Sequence, residues 1–278
     1  MGITAKDVNE LRQLTGAGLM DCKKALTESN GDIQAAVDYL RKKGQKVSEL
    51  RAGRDANEGV VIAKTTDDGS RGVAIRLSCE TDFVARNEDF IGFADEIASL
   101  ALAEDSKSLD DLLNLQFNGA NVKEKVAEKV GAIGENISIS AYERLEGVRV
   151  IPYIHAGYKI GVLVSLNQND SEQIDEVGKD LAMQVAAMNP AAVDKSDVAE
   201  EVVERELKIG KEQALAEGKP ENMVDKIAEG KLQKFFKENT LLNQQFVKDG
   251  SKSVSQILKE VDKELNVKAF KRLALGSK

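Results

Sequence analysis

Several residue types that carry chemistry are rare or missing in this sequence. It has no tryptophan, one histidine, two cysteines and three prolines. The single histidine, His155, excludes an HExxH zinc motif and any histidine-rich metal cluster. Cys22 and Cys79 lie far apart and form no CxxC pair, so neither a zinc site nor a disulfide framework is indicated. We expect no metal and no cofactor to be bound by the chain itself.

Long apolar runs are also absent. No stretch of about 18 apolar residues occurs, which predicts no membrane span and no membrane partner. The first residues lack the apolar region of a signal peptide, so we expect a cytoplasmic protein. Asp and Glu (47) outnumber Lys and Arg (39), and this net charge of -8 argues against direct binding of a nucleic-acid backbone. A protein partner or a cation fits this balance better.

Motifs for covalent chemistry are not visible either. No GxxxxGK[ST] sequence is present, so the chain is not expected to bind nucleotide phosphates itself. Cys22 falls on the apolar face of a predicted helix and Cys79 on the buried face of a predicted strand, which favours structural roles. A thiol-dependent enzyme using Cys79 is a rival interpretation, and the pattern otherwise predicts a protein that is not an enzyme.

What is present begins with a small helical region. Thr4 with Asp7 three residues later forms a predicted capping box for a first helix. A second helix is predicted from about Leu19 to Glu28, and a third begins at Asp32 and is expected to stop at Gly44. The basic segment 41–54 is interpreted as a partly helical linker. Residues 1–55 are therefore predicted to be a three-helix module with its linker.

The pattern then changes to the alternation of β-strands. Alternating apolar residues from Val60 to Cys79, interrupted by a turn at Asp67 to Gly69, predict an antiparallel hairpin with one buried face, followed by a helix capped by Asn87. The same order recurs after Glu146: a strand, a turn at Ala156-Gly157, a strand from Ile160 to Leu166 and a helix from about Ser171 to Met188. This repetition predicts two similar α/β subdomains, 56–143 and 144–278, with antiparallel sheets.

A charged, helix-forming segment follows, and it is broken once at Gly218-Lys219-Pro220. It predicts a helical hairpin inserted at about 195–239. A thin apolar seam favours an antiparallel coiled coil, and an ordinary surface insertion is the alternative. The predicted seam residues are Val198, Val202, Arg205 and Ile209 facing Met223, Ile227 and Leu232. The predicted fold class is α+β: a three-helix module, two α/β subdomains and a coiled-coil hairpin.

The segment from Cys79 to Asn87 places two apolar residues, Phe83 and Val84, among charged ones. Because they follow a predicted strand and precede a predicted helix, they are expected to lie on a rigidly held turn. From the residues alone, Phe83 either packs under its own loop or reaches a partner. His155 lies in the turn of the second predicted hairpin, where it is either a solvated turn residue or a contact.

Two motifs resemble those of a known family. Residues Thr15 to Leu26 resemble the N-terminal signature of the translation elongation factor Ts family of bacteria and organelles, and Cys79 to Arg86 resemble its second signature. Gly134 to Ile137, the His155 turn and the order of segments through about residue 265 are also similar. The resemblance implies a guanine-nucleotide exchange factor for elongation factor Tu. It also implies that the three-helix module is ubiquitin-associated-like.

The resemblance also implies roles for individual residues. Thr81, Asp82, Phe83 and Val84 would intrude beside the Mg²⁺ site of Tu and so promote GDP release, with Phe83 as an apolar wedge and Asp82 giving electrostatic support. The residues implied to hold the partner are Leu19, Met20, Lys23, His155 and, less directly, Val247.

The sequence leaves four further points open. Val247 follows Gln245, which stands where many family members have proline, and the chain ends at Lys278, where many continue into a final helix that adds partner contact. A dimer or a two-to-two complex is compatible with the sequence. The alternative function is a protein-binding adaptor with a ubiquitin-associated-like module and no exchange activity.

Overall fold

The computed structural model describes residues 3–168 and 172–276, and these form a mixed helical and stranded structure with antiparallel sheets and eleven α-helices. The helices are α1 Ala5–Thr15, α2 Leu19–Glu28, α3 Ile33–Arg51, α4 Asp82–Ala85, α5 Glu88–Ala103, α6 Leu109–Asn114, α7 Val122–Ile133, α8 Glu172–Met188, α9 Glu200–Ala216, α10 Glu221–Asn239 and α11 Val254–Val261. The strands are β1 Glu58–Thr65, β2 Arg71–Cys79, β3 Gln116–Phe117, β4 Ala120–Asn121, β5 Ser138–Glu146, β6 Arg149–His155, β7 Ile160–Leu166, β8 Gln245–Phe246, β9 Asp249–Ser253 and β10 Val267–Ala274. The predicted start of α8 at Ser171 lies outside the described residues.

The first three helices pack around a small apolar cluster of their own that includes Leu11, Cys22 and Leu26. The capping box predicted for α1 is confirmed, because the Asp7 carboxylate accepts the Thr4 N–H at 2.8 Å and the Asp7 N–H donates to the Thr4 hydroxyl. The bounds of α2 also match the sequence prediction.

The prediction that the third helix stops at Gly44 is wrong. Helix α3 continues to Arg51, and Gly44 lies where α3 crosses α7. A Cβ on Gly44 would lie 2.9 Å from the carbonyl oxygen of Ala127, and a Cβ on Gly131 would lie 2.6 Å from the Gly44 Cα. Glycine is therefore needed at this position for the close approach of two helices and not as a C-cap. Most of the basic segment interpreted as a linker is consequently helical.

The larger sheets of the structure are two three-stranded antiparallel sheets with the strand orders β1-β2-β5 and β10-β7-β6. Both predicted hairpins are confirmed, and β10 forms one edge of the second sheet. The expectation that β1 and β2 bury only one face is wrong. Val61 and Ala74, on the face away from the helices, pack against Val150 and Leu163 of the second sheet. The two sheets thus cover each other, while α5 and α7 cover the first sheet and α8 and α11 cover the second.

Helices α9 and α10 form the antiparallel hairpin that the charge pattern predicts, but the predicted seam is displaced. Of the predicted seam residues, Leu232 is buried, but Ile209 and Met223 are exposed. The buried positions also include Gly210 and Ala214 on α9 and Ala228 on α10. A Cβ on Gly210 would lie 3.1 Å from the Ala228 Cα, so small residues let the two backbones approach closely. Across residues 3–168 and 172–276, no helix combines the length and apolar character that crossing a bilayer requires.

Candidate functional site

Phe83 is the most exposed large apolar side chain in the described parts of the chain, at 84%. It lies on the one-turn helix α4, between β2 and α5, and the Thr81 hydroxyl caps this helix by accepting the Val84 N–H. Ala85 is buried and Val84 packs against the core under the first sheet, so the turn is anchored on one side and presents Phe83 on the other. The alternative that Phe83 packs under its own loop is therefore wrong.

A single carboxylate holds the backbone in front of this helix. Glu135 accepts the N–H groups of Glu80 and Thr81 at 3.1 Å each through Oε2, and its Oε1 accepts the Thr81 hydroxyl at 2.6 Å. Glu135 follows Gly134, whose left-handed conformation (φ +83°) ends α7 and turns the chain toward β5. No local pattern indicated this role, because the partners are more than 50 residues apart in sequence; only the resemblance at Gly134 to Ile137 singled out the segment.

Glu80, whose N–H is held by Glu135, in turn uses its own carboxylate to bind the backbone next to Glu135. Its Oε1 accepts the Asn136 N–H at 2.6 Å and the Arg51 guanidinium at 2.9 Å, and its Oε2 lies 3.5 Å from an Arg54 nitrogen. The Asn136 N–H, followed by Arg51, lowers the pKa of the Glu80 carboxyl below its usual value, so Glu80 is ionised at neutral pH. Glu80 and Glu135 together fix the turn that carries Phe83.

Asp82 and Arg86 form the exposed flank of α4. Their side chains make an ion pair at 2.9 Å, one helical turn apart, and both are accessible to solvent. The next residue, Asn87, caps α5 as predicted, because its side chain accepts the Asp89 N–H at 2.8 Å. The surface around Phe83 is therefore a fixed apolar tip beside one ion pair.

The other predicted contact residues lie on three further parts of the fold. Leu19 and Met20 are exposed in the first turn of α2 (53% and 73%), and Lys23 is exposed one turn later. His155 ends β6 and is partly buried, with its Nδ1 2.9 Å from the Tyr153 hydroxyl oxygen. Val247 follows β8, and its N–H donates to Gln184. The structure thus groups Thr81 to Val84 on one turn and separates the remaining predicted residues among α2, the β6–β7 turn and the β8–β9 turn.

The two cysteines do not form a reactive site. Both are buried, and burial raises the pKa of the Cys79 thiol to about 12 and raises that of Cys22 as well. At neutral pH Cys79 is therefore a thiol and a poor nucleophile. In the described ranges, no group of three or more His, Cys, Asp and Glu residues is arranged to hold a metal ion.

These features define a protein that presents an exposed apolar side chain on a rigidly held turn. Comparison with known proteins identifies the family: the model for Elongation factor TS matches residues 80–277. The chain is 53% identical to elongation factor Ts of Amoebophilus asiaticus over 100% of both chains, and 50% identical to that of Cytophaga hutchinsonii over 99% of both. It is 46% identical to that of Chlorobium phaeobacteroides, again over 99% of both chains.

The chain belongs to the elongation factor Ts family, whose members are guanine-nucleotide exchange factors in translation elongation. The resemblance seen in the sequence motifs is confirmed.

Proposed function

We propose that this chain binds elongation factor Tu carrying GDP and accelerates release of the nucleotide without covalent chemistry, in the cytoplasm. Family membership supports this function. The structural observation on which it rests is the exposure of Phe83 on a fixed turn. Two carboxylates fix this turn: Glu135 accepts the Thr81 N–H, and Glu80 accepts the Asn136 N–H. An exposed phenylalanine is costly in water, and a rigid mount keeps it from collapsing onto its own surface. Such a side chain is suited to enter an apolar crevice of a partner.

The proposed mechanism acts on the partner's metal. A GTPase holds GDP partly through Mg²⁺ that bridges the phosphates, so displacing the groups around Mg²⁺ weakens the grip on the nucleotide. Phe83 is assigned the wedge role, and Thr81 and Val84 shape the turn that intrudes with it. Asp82, held by Arg86 at 2.9 Å, brings a carboxylate into the region of the displaced metal. Neither GDP nor Mg²⁺ is bound by this chain in the proposal.

Thermodynamic linkage gives the proposal a further consequence. If the factor weakens GDP binding by some ratio, GDP weakens binding of the factor by the same ratio. Because the turn is already ordered, little of the binding free energy is spent on folding it, and more is available to distort the nucleotide site. Fast exchange then follows from a ternary complex of intermediate stability.

The remaining predicted residues are assigned to holding the partner while the wedge enters. Leu19 and Met20 offer exposed apolar surface and Lys23 a charge to the GTPase domain, while His155 and Val247 would contact other parts of Tu. In this proposal residues 1–55 form a ubiquitin-associated-like module, 56–143 and 144–278 form two similar subdomains, and the hairpin at about 195–239 is a coiled-coil insertion. A one-to-one and a two-to-two complex are both compatible with this assignment.

Release of fluorescent GDP from elongation factor Tu tests the proposal. Catalytic amounts of the full chain should accelerate release in the presence of excess GTP, and raising the Mg²⁺ concentration should oppose the acceleration. The adaptor alternative instead predicts binding to Tu without faster release. A release rate unchanged by a stoichiometric amount of the chain would refute the exchange function, and acceleration insensitive to Mg²⁺ would refute the route through the metal.

A further inference from the structure

Three distant segments of the chain meet at the side chain of Glu80. The turn before α4 supplies the carboxylate itself, the turn between α7 and β5 donates the Asn136 N–H, and the end of α3 donates the Arg51 guanidinium. The same segments are joined a second time, because the Asn136 side chain donates to the backbone carbonyl of Arg54 at 2.7 Å. The turn 80–84, which carries Phe83 and is called the wedge turn below, is therefore bonded directly to the C-terminal end of α3.

Helix α3 connects this junction to the three-helix module without a break. Its 19 residues form a rod about 28 Å long at about 1.5 Å per residue. The rod is fixed against α7 by the close crossing at Gly44 and Gly131, where the two backbones themselves are in contact. An ion pair at 2.7 Å between Arg41 and Glu128 lies about one helical turn from this crossing and is not needed for it. The N-terminal part of the same helix packs with α1 and α2 in the module's apolar cluster.

We propose that Glu80 is a positioning residue that ties the wedge turn to helix α3, so that the surface of α2 and Phe83 meet the partner as one rigid unit. The proposal rests on the proposed exchange function and deepens it. It assigns the contacts at Arg51 and Arg54 a role that a flexible linker between module and core would not allow.

The Arg51–Glu80 ion pair is partly shielded from solvent. The side chains of Arg51 and Glu80 are 28% and 17% exposed, whereas Arg54, on the other carboxylate oxygen, is 58% exposed and more distant. A charge-assisted hydrogen bond in such a place changes an equilibrium more than a surface pair does. The Arg51 contact is thus the strong link, and loss of it leaves the contacts of Glu80 with Asn136 and of Glu135 with Thr81 in place.

Rigid connection predicts which kinetic parameter changes. When two contacts are joined rigidly, binding free energy from the first can be used to drive the second into place. If the Arg51 contact is lost, the junction is loosened and not cut, because the Asn136 side chain still donates to the Arg54 carbonyl. The α2 surface then still binds, but the wedge is aimed less well. The maximal rate of GDP release should therefore fall by roughly three- to tenfold, the effect of an ordinary intramolecular hydrogen bond, because solvent screens this partly exposed pair. The concentration of factor at half-maximal rate should change little.

The experiment compares Arg51→Met with Arg41→Met in the full chain. Both remove a guanidinium of α3 from an ion pair shorter than 3 Å and keep an apolar stem, but only Arg51 reaches the wedge turn. GDP release from Tu is measured over a range of factor concentrations, and thermal unfolding is measured for each variant. The proposal expects a lower maximal rate for Arg51→Met and a normal maximal rate for Arg41→Met.

Two outcomes would overturn the proposal: equal maximal rates for Arg51→Met and the unsubstituted chain, or equal losses in both variants, which would show a general effect of loosening α3. If Arg51→Met does not unfold cooperatively, Glu80→Gln replaces it, because an amide oxygen can still accept the Asn136 N–H while the charge attraction to Arg51 is lost. Failure of the exchange function itself is distinguishable, since the unsubstituted chain would then not accelerate release at all.

Discussion

Replacement of Phe83 by alanine tests the wedge most directly. Burying a phenylalanine side chain is worth about 1.5–3 kcal/mol relative to leaving it in water. Since 84% of Phe83 is exposed in the free chain, almost all of this free energy is still to be gained on binding. Scaling by that fraction gives about 1.3–2.5 kcal/mol, which corresponds to a loss of about ten- to seventyfold in the rate of exchange at subsaturating factor.

The same exposure predicts that the fold is unaffected. A side chain with so few contacts contributes little to the free energy of unfolding, so Phe83→Ala should change stability by less than about 0.5 kcal/mol. Exchange is measured by stopped-flow release of fluorescent GDP, and stability by thermal unfolding. Leu50→Ala is the matched control, because Leu50 is 76% exposed on α3 and has no proposed partner contact. Normal exchange by a stably folded Phe83→Ala protein would refute the wedge, as would an equal loss in the control.

Three further predictions concern the Glu135 carboxylate that holds the Phe83 turn, the crossing of α3 and α7, and the Cys79 thiol. Glu135→Gln should slow exchange about tenfold and lower the free energy of unfolding by about 1–3 kcal/mol, because one of its two oxygens becomes an NH2 group, which cannot accept either the Thr81 hydroxyl or the Thr81 N–H at that position; exchange and unfolding assays would show it, and a normal value of both would contradict it. Gly44→Ala should lower the melting temperature because its Cβ meets a backbone oxygen at 2.9 Å, whereas Gly92→Ala, with open space around it in α5, should raise it slightly. Cys79, with a pKa of about 12, should have roughly one thiolate in ten thousand molecules at pH 8 and resist alkylation until the chain unfolds, so rapid labelling of the folded protein would reopen a thiol-based function.

The sequence predicted correctly the helix starts that depend on hydrogen bonds between neighbouring residues. The caps at Thr4, Asp32 and Asn87 lie where the sequence pattern predicts them, because a capping side chain bonds the backbone only two or three residues away. The prediction at Gly44 was wrong because this glycine is required by its contact with the backbone of Ala127 on α7, more than 80 residues away, and not by the end of its own helix. The second buried face of the β1–β2 hairpin was missed for the same kind of reason, since another sheet covers it.

The candidate site shows the same division between local and distant causes. The motif indicated which residues form the turn, but neither the exposure of Phe83 nor its support by Glu135 can be read from neighbours in sequence. The support is what makes the exposure possible. In water, a phenylalanine on a flexible loop would lose exposed apolar surface by folding back, and each backbone bond that Glu135 and Glu80 accept opposes this movement. The favourable free energy of burying the Phe83 ring is therefore not gained within the free chain and is gained only when a partner covers the ring. By holding Phe83 exposed, Glu80 and Glu135 increase the free energy that binding can gain from it.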